Sequence, residues 1–560
     1  MPLSHLIRRR KAIHSLLKAI FLLGFLIASG IALFLITELY LVPYFTETPE
    51  DPEKGAIIFD ENTTTLTKNT THIVLKIIKG ENATVSNIEI FESSDELNAA
   101  NFTFSPFSFN KEETATKDYS FNSSLQTGDY TIRVTYDIDS FVDESVLMEL
   151  NIPILLMGEG WRQFWVANVS SYPYEFYTIN ATLKIESENC LIYSNSTSVS
   201  DAKLVDMNES FESVVYPTLT NYFGTPSDID GNGKIILLVF DIDAIPVGFV
   251  AGFFYSLNQY LNSDLKPSDR YSNEAEILHI DILAADDIAT IAHEFQHLIH
   301  YGHDDDEETW LDEGASVFSE YLIGEHPLIG TYGTAFRSNP DVSLTYWDGG
   351  SSSLVFANYG ASYTFMLYLA EHYGGDPLVQ DLVERSTNGI ESVEDALFQQ
   401  GYDVQFTEVF RNWTIANFLD DTTFASGSYG YNLDDILRPT VEHTYDSSSS
   451  IGHTDNSVAY WGTDYLRFNQ AFASSFSFDF HDASDDGFLV TILLMNTTTS
   501  PLNTRIIPVE IQPDGSGSFY IPSVNADEIY VIISAITTGS TPDHDNNESA
   551  PSIDYWFTVN

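Results

Sequence analysis

Residues 290–303 read TIAHEFQHLIHYGH, and no other stretch limits the fold as tightly. Set as a helix from Ile288, the stretch places Ile288, Ile291, Ala292, Phe295, Leu298 and Ile299 on one stripe, which needs a packed layer beneath it. His293 and His297 fall on the opposite side, one turn apart, where two imidazoles can converge on one ion at about 2.0–2.1 Å each. Glu294 sits beside a ligand but off their axis, placed to take a proton from water rather than to bind metal. Such a helix needs a layered domain with one face floored by apolar structure and the other opened to chemistry.

Segments around the helix supply the floor. KIILLVFDI (234–242) and AEILHIDIL (275–283) read as buried strands, and INATLKIESENCLIY as a hairpin. Between them AKLVDMNESFESVVYPTLTNYFG has helical spacing, with Leu204, Met207, Phe211, Val214 and Val215 along one face. Asp286 or Asp287 stands where the N-cap of the HExxH helix belongs. Four later helices are expected in YGASYTFMLYLAEHYG, DPLVQDLVERS, VEDALFQQG and FTEVFRNWTIANFLDD.

A metal held by two histidines needs at least one more protein ligand, and three residues nearby compete. His300 shares the ligand face but lies seven residues from His293, about 10.5 Å of helical rise, and reads as a solvated side chain. His303 takes the last position of the metzincin spacing HExxHxxGxxH, but His300 stands where the turn-forming glycine belongs and Gly302 comes two residues late. Glu313, in the second helical segment TWLDEGASVFSEYLIG, fits the gluzincin arrangement of two helices sharing three ligands. Glu313 is therefore the expected third zinc ligand, with His303 the alternative. Glu320, two turns further on, reads as a surface glutamate within reach of a ligand imidazole. The run from Asp304 to Glu308 reads as a solvated loop. Of Tyr359 and Tyr363, Tyr363 is the expected hydroxyl donor to an oxyanion.

DIDGNG offers a second cation site. Asp228, Asp230 and Asn232 match the first half of a calcium loop, but Val239 replaces the closing glutamate, leaving Asp241 or Asp243 to compensate.

The segments DIDGNGKIILLVFDI, SNEAEILHIDIL, TIAHEFQHLIHYG, WLDEGAS and WTIANFLDD, in that order, resemble the hyicolysin family of secreted, gluzincin-like metallopeptidases over about residues 160–440. The resemblance implies a zincin fold, a catalytic zinc, His293 and His297 as its ligands and Glu294 as the catalytic residue. The chain is therefore expected to hydrolyse peptide bonds in protein or peptide substrates, as a zinc endopeptidase. The competing reading is a surface binding or adhesion protein on a catalytically dead zincin domain.

Outside that region the pattern changes. The expected organisation is a basic segment (1–18), an apolar anchor (19–41), a Pro- and Glu-rich stalk (42–55), an all-β module (56–150), the metallopeptidase domain (151–440) and a second all-β module (441–560). The fold class is thus an α+β zincin-type domain flanked by sandwich-like β-modules, behind a single N-terminal transmembrane helix. Residues 19–37 carry no charge and are about long enough to span a bilayer. Basic residues before them and acidic ones after predict an external C-terminal part, or a secreted chain if the segment is cleaved. Twelve N-x-S/T sequons, nine of them between Asn62 and Asn208, agree with an exported glycoprotein. With 24 Lys+Arg against 81 Asp+Glu, too few cations are available for nucleic acid. The single cysteine, Cys190, excludes an internal disulfide and reads as a buried apolar side chain.

Overall fold

The computed structural model describes residues 160–169, 174–242, 249–265, 270–347, 352–432, 436, 438–445, 450–469, 475–482, 487–496, 503–522, 524, 526–536 and 550–560, and before them only strands between 56 and 158. The expected anchor at 19–41 lies outside the described residues. Among the described residues no helix is long and apolar enough to cross a membrane.

Seven strands form the floor of the central domain, in the order β5, β6, β4, β3, β2, β1 and the two-residue edge Met157–Gly158. They are β1 (Trp161–Asn168), β2 (Glu175–Glu186), β3 (Cys190–Ser194), β4 (Ile235–Phe240), β5 (Gly252–Phe254) and β6 (Ile277–Asp281). β2 and β3 form the expected hairpin; β3, β4 and β6 run parallel, and β5 closes the edge antiparallel to β6. Every residue of β4 and β6 is buried, as unbroken apolar runs in a parallel sheet require.

The crossover from β3 to β4 is one long helical segment: α1 (Asp201–Ser210), a π turn (Phe211–Val215) and α2 (Tyr216–Phe223). Met207, Phe211, Val215, Leu219 and Phe223 are its buried residues from the end of α1 onward, a spacing of four that outruns the 3.6-residue turn. The wider π turn absorbs the drift and keeps the stripe on the sheet. Val214, expected on that face, is only half-buried.

α3 (Ile288–His303) follows β6, and Asp287 caps it by accepting from the Ala289 N–H. α3 shares a core with the sheet and α2, Phe295 lying 5.3 Å from Phe211 and 5.6 Å from Tyr216 between ring centres. α4 (Thr309–Leu322) packs on the other face of α3. Then come α5 (Thr331–Ser338), α6 (Ser352–His372), α7 (Asp376–Glu384), α8 (Gly389–Gln399) and α9 (Phe406–Leu419). All but α5 were expected.

After α9 come two antiparallel-rich sheets of five and four strands, whose shared core includes Leu466, Phe468, Val490 and Val531 from one and Phe478, Phe480, Tyr555 and Phe557 from the other. This is a β-sandwich. α9 docks on its outer face through Ile415, Phe418 and Leu419 against Tyr465, Leu493 and Ile532. Upstream, three- and five-stranded sheets occupy 56–154. The strand Val146–Ile154 pairs with Gly128–Ile138, so the edge expected at 150 cuts through a strand of the upstream sheet.

Candidate metal centre

α3 and α4 lie against one another so that one ligand atom each of His293, His297 and Glu313 falls within 4.8 Å of the others, all three residues buried. Glu313 Oε2 is 3.2 Å from His293 Nε2 and 3.5 Å from His297 Nε2. Two donors at about 2.05 Å on a tetrahedral ion stand about 3.3–3.4 Å apart, so these separations match the edges of such a tetrahedron. The donor set fits zinc.

The far side of each imidazole is also held. His293 Nδ1 lies 2.9 Å from Glu320 Oε1. Ser316 donates to the Gln296 side-chain oxygen and accepts from His297 Nδ1 at 2.9 Å, while Asp312 Oδ2 lies 3.2 Å from the same nitrogen. With Nδ1 carrying the proton, both Nε2 lone pairs face Glu313. Two expectations change here. Glu320 is buried on the inward face of α4, and His300 is buried rather than solvated, paired with Asp312 Oδ1 at 2.7 Å.

These contacts set the electrostatics. Burial alone would lower His293, but Glu313 and Glu320 overcome it and raise it to about 9. Burial likewise opposes the rise of His297, which Asp312 and Glu313 carry well above the ordinary value. Asp312 would rise on burial, yet His297 and His300 hold it well below the usual carboxylate range. Glu294 is fully buried, neither oxygen has a side-chain hydrogen-bond partner, and burial raises it to about 7 against the pull of the two histidines and of the Phe254 backbone amide. A carboxyl poised there can exchange protons near neutral pH.

β5 runs close over this group. A Cβ built on Gly252 would lie 3.3 Å from Glu294 Cγ and 2.9 Å from both the His279 carbonyl and Thr290 Cγ2. Only glycine allows so near an approach.

The rival ligand His303 is turned elsewhere. α3 stays helical to residue 303, and a Cβ on Gly224 would fall 2.9 Å from His303 Nε2. Of the two tyrosines, Tyr359 donates to Glu313 Oε1 at 3.2 Å and stacks on Tyr332, whereas Tyr363 packs near Phe318. Tyr359, one turn earlier on α6 than the expected Tyr363, is thus the one of the two whose hydroxyl reaches a candidate ligand. The acidic run is also not a simple solvated loop. Asp304 and Glu307 are buried, and Glu307 accepts from the Gly389 N–H at the start of α8.

In DIDGNG, one oxygen each of Asp228, Asp230 and Glu276 lies within 4.8 Å of the others. Asn232 does not join them, because its side-chain oxygen accepts from the Lys234 N–H and its amide donates to Asp230. Asp241 sits past the other end of β4, roughly 20 Å along the strand, and Asp243 lies outside the described residues.

No family model matches the chain. A neutral metalloprotease, ShpI, of Staphylococcus hyicus is 26% identical over 279 residues, covering 45% of this chain and 61% of that protein. That likeness supports a metalloprotease family. The chain spans only about six tenths of the relative's length. Among solved structures, the pre-peptidase C-terminal domain of a Bacillus anthracis collagenase matches 20% of this chain and 89% of its own, at 12% identity and a TM-score of 0.15. A native Escherichia coli alpha-2-macroglobulin matches 90% of this chain and 29% of its own, at 7% identity and a TM-score of 0.14. Scores that low carry no structural weight.

Proposed function

We propose that the chain is a zinc endopeptidase of the hyicolysin type, holding zinc through His293, His297 and Glu313 and using Glu294 as general base. The observation behind this reading is the convergence of those three buried donors beside a buried Glu294 carboxyl that no side chain engages. Zinc bound there would supply a Lewis acid that lowers the pKa of water and polarises a carbonyl.

The chain's residues do the rest. Glu294 takes a proton from the attacking water and returns it to the leaving amine, which its position near pH 7 suits. Glu320 and Asp312 keep the histidines oriented. The outer edge of β5, unpaired among the described residues, offers main-chain groups to an extended peptide beside Glu294. Tyr359, whose hydroxyl donates to Glu313, is the tyrosine best placed to serve the site. The uncharged run at 19–37 and the sequons support action at the outer face of the cell membrane, or in the medium after cleavage.

The test is Glu294→Gln in the purified chain. Casein cleavage should fall by at least ~10³-fold while zinc content stays near one per chain, the range seen when a proton-transfer group is removed. Undiminished cleavage ends the assignment at this site.

A further inference from the structure

The group around DIDGNG lies apart from the histidines and needs its own explanation. Glu276 immediately precedes β6, and its main-chain carbonyl accepts from the Ile236 N–H of β4, which brings its carboxylate beneath the loop. Its Oε1 accepts from the Ile229 N–H at 2.5 Å. Its Oε2 is buried and makes no hydrogen bond, in a residue only 1% exposed. A buried carboxylate oxygen left bare beside two other carboxylates costs far more than an exposed one, so the arrangement calls for a cation.

The protein's own cations do not meet that need. Among the described residues no Lys or Arg forms an ion pair with Asp228, Asp230 or Glu276. Lys234 turns to the Ser187 carbonyl and Glu186, and Arg162, which feels the charge of Asp230, donates instead to the Asn273 carbonyl. Burial, with the two aspartates adding to it, raises Glu276 to about 7.

We propose that Asp228, Asp230 and Glu276 bind calcium, Glu276 being the closing ligand that the loop itself lacks. All three donors are carboxylates, which selects a hard cation. Calcium accepts irregular oxygen sets completed by carbonyls and water, whereas magnesium demands a near-ideal octahedron. The ion ties the loop to the starts of β4 and β6. The same loop supports the end of α3, because Ser227 packs at Gly302, where a Cβ would stand 3.3 Å from the Ser227 nitrogen. This site is independent of the zinc reading.

Calcium titration of the zinc-loaded, calcium-free full chain decides it, followed by unfolding temperature and terbium luminescence. Excess magnesium should be present throughout, to occupy loose sites on a chain of net charge −57. Wild type should show one saturable transition that raises the unfolding temperature. Glu276→Gln should weaken it at least tenfold, and so should Asp230→Asn, a half-exposed position whose amide keeps the turn. Both variants should unfold at or above the wild-type temperature in calcium-free buffer. No calcium-dependent shift in wild type, or an undiminished shift in both variants, overturns the proposal.

Discussion

Replacing Glu320 by alanine should weaken zinc binding by an amount that grows with pH. In the metal-free site His293 is raised to about 9, burial being overcome by Glu313 and Glu320. Because the value is raised, the proton is held below about pH 9 and zinc must displace it. At pH 7.5, roughly 1.5 pH units lower, clearing that proton costs about 2 kcal/mol, or ~30-fold in apparent zinc affinity. Removing Glu320 therefore has two opposed effects. It lowers His293 and eases the competition with protons, but it loses the partner 2.9 Å from Nδ1 that orients the ring and strengthens Nε2 as a donor. Loss of such a partner costs about 10–100-fold in metal affinity. Above pH 9 only the second effect remains, so Glu320→Ala should lose the full factor at pH 9.5 and visibly less at pH 7. Glu320→Gln should fall between, since its amide oxygen still accepts from Nδ1–H without the charge. Competition with a chromophoric zinc chelator at several pH values measures this. A variant-to-wild-type ratio that stays constant, or narrows as pH rises, would refute the claim that Glu320 acts through the His293 proton.

Glu313→Gln should reduce bound zinc below half occupancy, whereas His303→Ala should keep a full equivalent; metal analysis after dialysis separates them, and the opposite pattern would make His303 the third ligand. Gly252→Ala forces a Cβ into the His279 carbonyl and Thr290, so urea unfolding should show a loss of ~1–3 kcal/mol, and an unchanged midpoint would mean that β5 does not press on α3. Cys190 is fully buried and its thiol is pushed up to about 11 by burial, so the native chain should resist iodoacetamide at pH 8 while the urea-unfolded chain reacts at once.

The parts of this architecture that were legible in the sequence are those written in local spacing. The α3 stripe, the Asp287 cap and the unbroken apolar runs of β4 and β6 each follow from neighbours within a turn or a strand. What escaped is long-range. Spacing puts Glu320 within reach of a ligand imidazole but not buried against His293, 27 positions away, and nothing local shows Glu276 meeting Ile229 across 47, because no local pattern encodes how these elements slide on one another. Asp312 and Ser316 stood within WLDEGAS, one before and three after Glu313. Ser316 stands three residues after Glu313 and four after Asp312, so with Glu313 facing α3 it shares a face with each of them, which is a usable signal. The choice between Tyr359 and Tyr363 is open in the sequence for another reason. From Ala357 to Ala370 every residue of α6 is buried, so no polar stripe fixes its rotation.

The two clusters handle the same electrostatic problem by different means. Around α3 and α4 the carboxylates of Glu313, Glu320 and Asp312 are buried together, and His293 and His297 are both raised in basicity by them. Two protons on those rings carry the same charge as one divalent ion, so the site stays balanced with or without metal, and the second-helix carboxylates hold the chain together while it waits. His300, 2.7 Å from Asp312, is among the groups that hold that carboxylate low. Among the described residues no histidine joins the cluster of Asp228, Asp230 and Glu276. There the burden falls on the Glu276 carboxyl itself, already raised to about 7 by burial and the two aspartates. A cluster of that kind near neutral pH either protonates a ligand or admits a cation, which makes its response to calcium a direct measure of how the loop is held.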